Sequence, residues 1–457
     1  MPALTSVKYT NKKVKKIVTI SVIAVVAVIA IVVGVKFLLE SGAFSKKEDT
    51  AANSFSMTDE MNSVVSETEF HRGYMFSRVT KILSDDPKMN PWVLSWYVLP
   101  GTTRSVPAMQ SAYVDTFDQV LLLESYVREG KRSAAKTLID AIDTSLTDGN
   151  GYLLKFKRAD ELVSEENRPE VEKSDLYEDQ ANLLLTDAPV SMEATTRYLR
   201  ALLNYYDKWG DSKLLDRIHD LSGKVFDAGA KSSYRAADRA AMPTPIPVTE
   251  KTLVPEVTEE EQQGDGATLV QSEGVEICAM DLDAMRRAAV LFPEYQEKYE
   301  EMIRIVKEGK ISQELPLYAW MYSEELGYTY YTGSAGNAEL VPSLYAMVHL
   351  AEIGQLDEDG YAWVSSKIYN DGFLYSSYNI MSGAPSDQEA SEAYPLVLYL
   401  AVIKGDNDLF TATFNAMMRN YATLDTSVAL YDFFRNVDDS RIAVYARENL
   451  LMELIIR

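Results

Sequence analysis

Carboxylates and tyrosines gather at a few places along the chain: Tyr113 with Asp115 and Asp118; Tyr177, followed by Glu193; Tyr330 and Tyr331 with Asn337 and Glu339; Tyr378 with Glu389 and Glu392. Paired carboxyl groups do general acid and base work, one giving a proton while the other takes one or steers a water. Aromatic rings beside them suit a substrate with apolar C–H faces and hydroxyl rims, which is the chemistry of carbohydrate. His71, His219 and His349 lie far apart and form no HExxH or CxxC pattern, so no zinc site is expected and no cofactor is called for; calcium held by carboxylates stays open. Cys278, among Val275, Ile277 and Ala279, reads as packing.

Structural duty competes with chemistry at each place. Asp115 and Asp118 open an apolar run, where unpaired N–H groups and the helix dipole favour a carboxylate as a cap. That dipole would lower a carboxyl pKa, the wrong direction for a general acid unless burial outweighs it. Ser386-x-x-Glu389 and Ser66-x-x-Glu69 have capping-box spacing, and Glu193 follows Ser191, an N-cap residue type. Tyr328 to Tyr331 could be one face of a strand, and Trp92 with Trp96 would be core.

The elements that position these residues repeat. A helix apolar on nearly all sides ends at a glycine, and an amphipathic helix follows. Val120 to Val127 before Gly130, then Ala134 to Ile142, make the clearest copy; Leu199 to Leu203 before Gly210, then Leu214 to Ile218, make a weaker one. Asp281–Leu291 with Pro293–Val306, Glu339–Gly354 with Tyr361–Ile368, and Glu389–Gly405 with Leu409–Phe414 continue the series, and Glu67–Leu83 and Thr426–Ile456 supply further helix. About six such hairpins predict an all-α (α/α)6 toroid, with apolar helices inside and striped ones outside. An open solenoid would repeat at a constant ~34–47 residues, whereas these spacings vary. Short strands are expected at Tyr152–Lys157 and Leu326–Gly333, and proline-rich, acidic 242–266 as a disordered insertion. In such a ring the inner helices start on one face, which would bring the carboxylates together.

The pattern resembles the six-hairpin glycosidases, and within them glycoside hydrolase family 8-like proteins, over about residues 65–455. Tyr113-Val-Asp-Thr-Phe-Asp118 stands where that family carries Ser-Glu-Gly, with aspartates replacing the glutamate that serves as acid. Ser191-Met-Glu-Ala followed by Tyr206-Asp-Lys-Trp-Gly-Asp211 resembles the stretch that orients the central sugar, which puts Glu193 in that role. Asn337-Ala-Glu-Leu-Val-Pro342 is similar to the stretch holding the base, but an amide takes up no proton at neutral pH. The resemblance therefore implies Asp118 or Asp115 as acid, a base from Glu339, Glu389 or Glu392, and inverting hydrolysis of a β-linked polysaccharide or oligosaccharide. A binding or scaffold subunit that has lost catalysis is the alternative.

The 457 residues carry a formal net charge of -23, which repels phosphate backbones and excludes nucleic acid as a natural partner. From Ile17 to Val35 there is no charge, and at ~1.5 Å per helical residue this run crosses about 30 Å of hydrocarbon. It exceeds the apolar part of a cleavable signal peptide, and the lysines before it place the N-terminus in the cytoplasm. The expected order is a basic cytoplasmic tail at 1–16, a transmembrane anchor at 17–39, a stalk at 40–63 and the toroid at 64–457, outside the cell membrane. Proteins of polysaccharide synthesis or export are natural partners for such an anchored domain.

Overall fold

A helix apolar on every side is stable in water only when other helices cover it, and the chain meets that demand by closing them into a ring. The computed structural model describes residues 51–71, 91–100, 109–111, 113–162, 190–226, 231–237, 269–330, 336–425, 427, 429–436 and 441–456. Ala52–Arg457 is one unit. Its main helices are α1 (Asp59–Ser66), α2 (Thr116–Arg128), α3 (Arg132–Ser145), α4 (Met192–Trp209), α5 (Leu215–Phe226), α6 (Leu282–Leu291), α7 (Gln296–Glu308), α8 (Leu340–Glu352), α9 (Glu358–Asp371), α10 (Ala393–Lys404), α11 (Asn407–Met418) and α12 (Ala446–Ile456). Helices α2, α4, α6, α8, α10 and α12 pack each on the next, and α12 packs back on α2. The ring is closed, as the toroid predicted.

Burial separates inside from outside. Inner α10 buries Tyr394, Leu396, Val397, Leu398, Leu400 and Ala401 around its circumference. Outer α5 buries only the stripe of Ile218, Leu221, Ser222, Val225 and Phe226. The predicted stops are real: Gly130, Gly210, Gly354 and Gly405 all take positive φ, which suits a residue without a Cβ. Asp406 then starts α11, accepting the Leu409 N–H at 2.9 Å and the Tyr361 hydroxyl at 2.8 Å. Asp406→Ala should cost about 1 kcal/mol of stability, read as a lower urea midpoint at unchanged slope.

Strands feed the inner helices and build their common rim. They are β1 (Trp96–Pro100), β2 (Met109–Gln110), β3 (Tyr113–Asp115), β4 (Phe156–Arg158), β5 (Lys231–Ala237), β6 (Leu269–Glu276), β7 (Met321–Ser323), β8 (Gly327–Thr329), β9 (Asn337–Glu339), β10 (Ser377–Asn379), β11 (Arg435–Asn436) and β12 (Arg441–Tyr445). The antiparallel sheets run β11-β12-β1-β2, β5-β6-β7-β8, β10-β9 and β3-β4, with Trp96 opposite Tyr445 and Asp115 opposite Phe156. β3 runs directly into α2, β9 into α8 and β12 into α12, while β6 reaches α6 through the single turn Ile277–Ala279. The β content exceeds the all-α expectation, and Tyr97, Val98, Ile442 and Val444 of the paired β1 and β12 are buried.

Several boundaries differ from the periodicity. Residues 54–63, expected as stalk, are folded onto the ring: Thr58 caps α1, whose Met61 and Val65 are buried, and Phe55 packs on Tyr399. Of the helix expected over Glu67–Leu83, residues 67–71 are not helical, so Ser66-x-x-Glu69 is no capping box, and 72–83 lie outside the described residues. Among the described residues of Thr426–Ile456 only Ala446–Ile456 are helical, and β11 and β12 precede them. Leu326–Gly333 does contain a hairpin strand, β8; from Tyr152–Lys157 only Phe156 and Lys157 join β4. The insertion at 242–266 and the apolar run at 17–39 lie outside the described residues. No helix among the described residues is long and apolar enough to cross a membrane.

Candidate active site

Arg447 ties together the starts of α2, α10 and α12 and lies within electrostatic reach of Glu193 at the start of α4. It is the second residue of α12, and its Nε lies 3.0 Å from Asp118 Oδ1 while one Nη lies 2.9 Å from Asp115 Oδ1. The other Nη is 3.8 Å from Glu392 Oε1, and the guanidinium stacks 4.6 Å from the Phe117 ring centre. Asp115 also caps α2 by accepting from the Phe117 and Asp118 N–H groups. Capping and ion pairing therefore share one carboxylate.

Asp118 is only 2% exposed. Burial and the adjoining Asp115 carboxylate push it up to about 8, against the pull of Arg447. The expected conflict between dipole and burial is thus won by burial.

Glu193 stands in the first turn of α4, behind the Ser191 cap that accepts from Ala194 N–H. Desolvation pushes its carboxyl up to about 7; Arg447 lowers it, while Glu276, Glu392 and Asp115 raise it. A group titrating there can hold a proton at neutral pH and release it. Glu392, at the start of α10, takes a 3.4 Å hydrogen bond from the Tyr345 hydroxyl and keeps part of its side chain open to solvent. α4 and α10 are opposite members of the ring, and the Glu392 carboxylate at the start of one raises Glu193 at the start of the other. A small void beneath Glu193 is walled by Phe117, Thr196, Cys278 and Tyr345.

Below the rim the ring axis is ionic. Arg200 of α4 binds both oxygens of Asp281, the cap of α6, and both oxygens of Glu352 at the end of α8, all buried. Asp281, His349 and Glu352 have the spacing of metal ligands, but the guanidinium already fills the gap between the two carboxylates. At the far end, where Arg128 and Lys208 close α2 and α4, a cavity of about 390 Å³ opens, lined also by Asn53 and Phe55.

The other expected residues are placed variously. Glu339 is exposed at the end of β9. Glu389 completes no capping box, since α10 starts after Glu392; it accepts a short bond from the Tyr394 hydroxyl and lies 3.5 Å from Arg419. Asn337 accepts from Asn379 across β9 and β10 at 3.2 Å. Tyr113 and Tyr378 are corrected: both rings are buried, Tyr113 against Phe156 and Tyr378 against Trp363, and neither can offer a face to a sugar. Tyr330 is half-buried against the core, and Tyr177 and Tyr331 lie outside the described residues. Arg447, Tyr345 and Glu276 were not foreseen. For Arg447 the missed signal was the β-rich Arg441-Ile-Ala-Val-Tyr445 just before it, which makes it the opening of an inner helix.

This architecture is the six-hairpin (α/α)6 toroid, the fold implied by the resemblance to glycoside hydrolase family 8-like proteins. A solved structure described as a novel alpha-amylase from Clostridium perfringens superposes with a TM-score of 0.58 at 18% identity, over 84% of this chain and 97% of that one. PssZ from Listeria monocytogenes gives a TM-score of 0.49 at 8% identity, covering 82% and 93%. Endoglucanase Cel10, a family 8 glycosyl hydrolase from Klebsiella pneumoniae, gives 0.46 at 10%, covering 75% and 98%. At such identities likeness speaks for the fold alone. No protein-family model matches the chain, and no curated protein matches it.

Proposed function

We propose that this protein is a glycoside hydrolase-like enzyme that cleaves a polysaccharide or oligosaccharide lying across the ring's mouth. The observation that carries the reading is the pair of carboxyl groups at the starts of opposite ring helices, Glu193 on α4 and Glu392 on α10, with Glu392 within electrostatic reach of Glu193 and Glu193 pushed up to about 7. Glu193 gives its proton to the leaving oxygen as the glycosidic C–O bond breaks. A water bonds to the anomeric carbon and passes its proton to Glu392. Asp118, first in line as acid by resemblance, is enclosed by α2 and Arg447 and supports the array instead. The anchor expected at 17–39 would hold the enzyme at the outer face of the cell membrane, beside proteins of polysaccharide synthesis or export.

The test is incubation of the protein with α- and β-linked glucans and with surface polysaccharides, scored for new reducing ends. β-linkage is what the resemblance implies; the superposing alpha-amylase is the reason to include α-linked substrates. Release from one glycan, lost in Glu392→Gln, is the expected result. A catalytically inactive binding subunit is favoured by one observation, the guanidinium held against Asp118 and Asp115. Tight glycan binding with no reducing ends would establish that alternative.

A further inference from the structure

Arg447 meets more of the rim than an ordinary ion pair does. One guanidinium reaches Asp115 at 2.9 Å and Asp118 at 3.0 Å on α2, and Glu392 at 3.8 Å on α10, while its plane lies on Phe117. The fork is oriented by these contacts, because Nε and each Nη face different partners. The adjacent Arg435 cannot replace it: its guanidinium is engaged with Glu448 and stacks 4.3 Å from the Tyr445 ring centre.

We propose that Arg447 is a positioning residue whose fork fixes Asp115, Asp118 and Glu392 in one array and whose charge sets how readily Glu193 gives up its proton. The proposal rests on reading the rim as a hydrolytic site. Its electrostatic half can be tested without turnover. The charged and titratable groups around Glu193 are Asp115 from α2, Glu276 and Cys278 from β6 and the turn after it, Asp281 before α6, Tyr345 and His349 from α8, Glu392 from α10 and Arg447 from α12, with Arg197 beside it on α4. Arg447 is the cation that lowers Glu193 in this company; burial and three carboxylates raise it. Its loss must therefore raise the midpoint at which Glu193 ionises.

The experiment uses the full chain with ¹³C-labelled glutamate carboxyls, the Glu193 signal being assigned by its absence in Glu193→Gln. In Arg447→Met the Glu193 midpoint should rise by about one pH unit, and in Arg447→Lys it should stay within about 0.3 of the wild type, because the charge remains. On the cleaved glycan, Arg447→Lys should still lose about 10–100-fold in kcat with KM changed less than about threefold, since an ammonium cannot fork to three carboxylates. A Glu193 midpoint that stays put in Arg447→Met overturns the electrostatic half, and wild-type kcat in Arg447→Lys overturns the positioning half. If Arg447→Met does not fold, Arg447→Gln, which also removes the charge, takes its place in the titration with the same expected rise, and Arg447→Lys decides the positioning half through its kcat. If the wild type cleaves no glycan, the hydrolytic reading fails while the titration still reports on Arg447.

Discussion

Glu193→Gln is expected to lower glycan cleavage by about 10²–10⁴-fold, the usual contribution of a positioned acid, with little change in stability. Glutamine keeps the volume and hydrogen-bonding reach of glutamate but has no proton to give. The wild-type rate should fall as pH rises through about 7, where Glu193 loses its proton, and that alkaline limb should vanish in the variant. A steady-state pH profile of both proteins checks this. Full activity in Glu193→Gln, or an alkaline limb that survives it, would remove Glu193 from the chemistry.

The largest stability effect is expected beneath the rim. Arg200→Met would leave the Asp281 and Glu352 carboxylates buried together with no cation, at a cost of about 3–5 kcal/mol. Burial alone would push both carboxyls up; the Arg200 guanidinium and its hydrogen bonds, helped by His349, reverse this and hold both below the ordinary range. Groups depressed in the folded state add stability that is complete above the unfolded carboxylate range and lost as pH falls through the folded values. The wild type should therefore lose this contribution progressively as pH falls below about 4, and Arg200→Met should show a smaller loss there because little remains to lose. Urea unfolding at pH 7 and at pH 3 measures both. Wild-type stability in Arg200→Met would mean that the ionic axis holds nothing together.

Much of the ring was legible because its two kinds of helix are written differently. A helix such as Ala393–Lys404, with one lysine at its end, has no polar face to show to water, whereas Leu215–Phe226 shows a stripe. Glycines after α2, α4 and α10, and Asp281 before α6, gave the stops and starts. The rim was half legible: periodicity brings Asp115, Asp118, Glu193 and Glu392 to one face, but it cannot say that burial would raise Asp118 and Glu193. Arg447 was invisible because its helix had been read as starting about twenty residues earlier, and β12, the strand that ends just before it, pairs with the distant β1 as well as with its neighbour β11. Tyr113 and Tyr378 misled for a related reason. In β10 alternation turns Tyr378 into the core between two partly exposed neighbours, and in β3 Tyr113 and Val114 are buried together, which strand pairing and not residue type decides.

The central claim is that a sugar chain lies between Glu193 and Glu392. A crystal structure of Glu193→Gln soaked with an oligosaccharide cleaved by the wild type tests it directly. The glutamine should lie within hydrogen-bond reach of the glycosidic oxygen, with Glu392 and an ordered water on the opposite face of the sugar ring. A sugar bound elsewhere, in the far cavity by Arg128 and Lys208 or on the outer helices, with the rim empty, would contradict it.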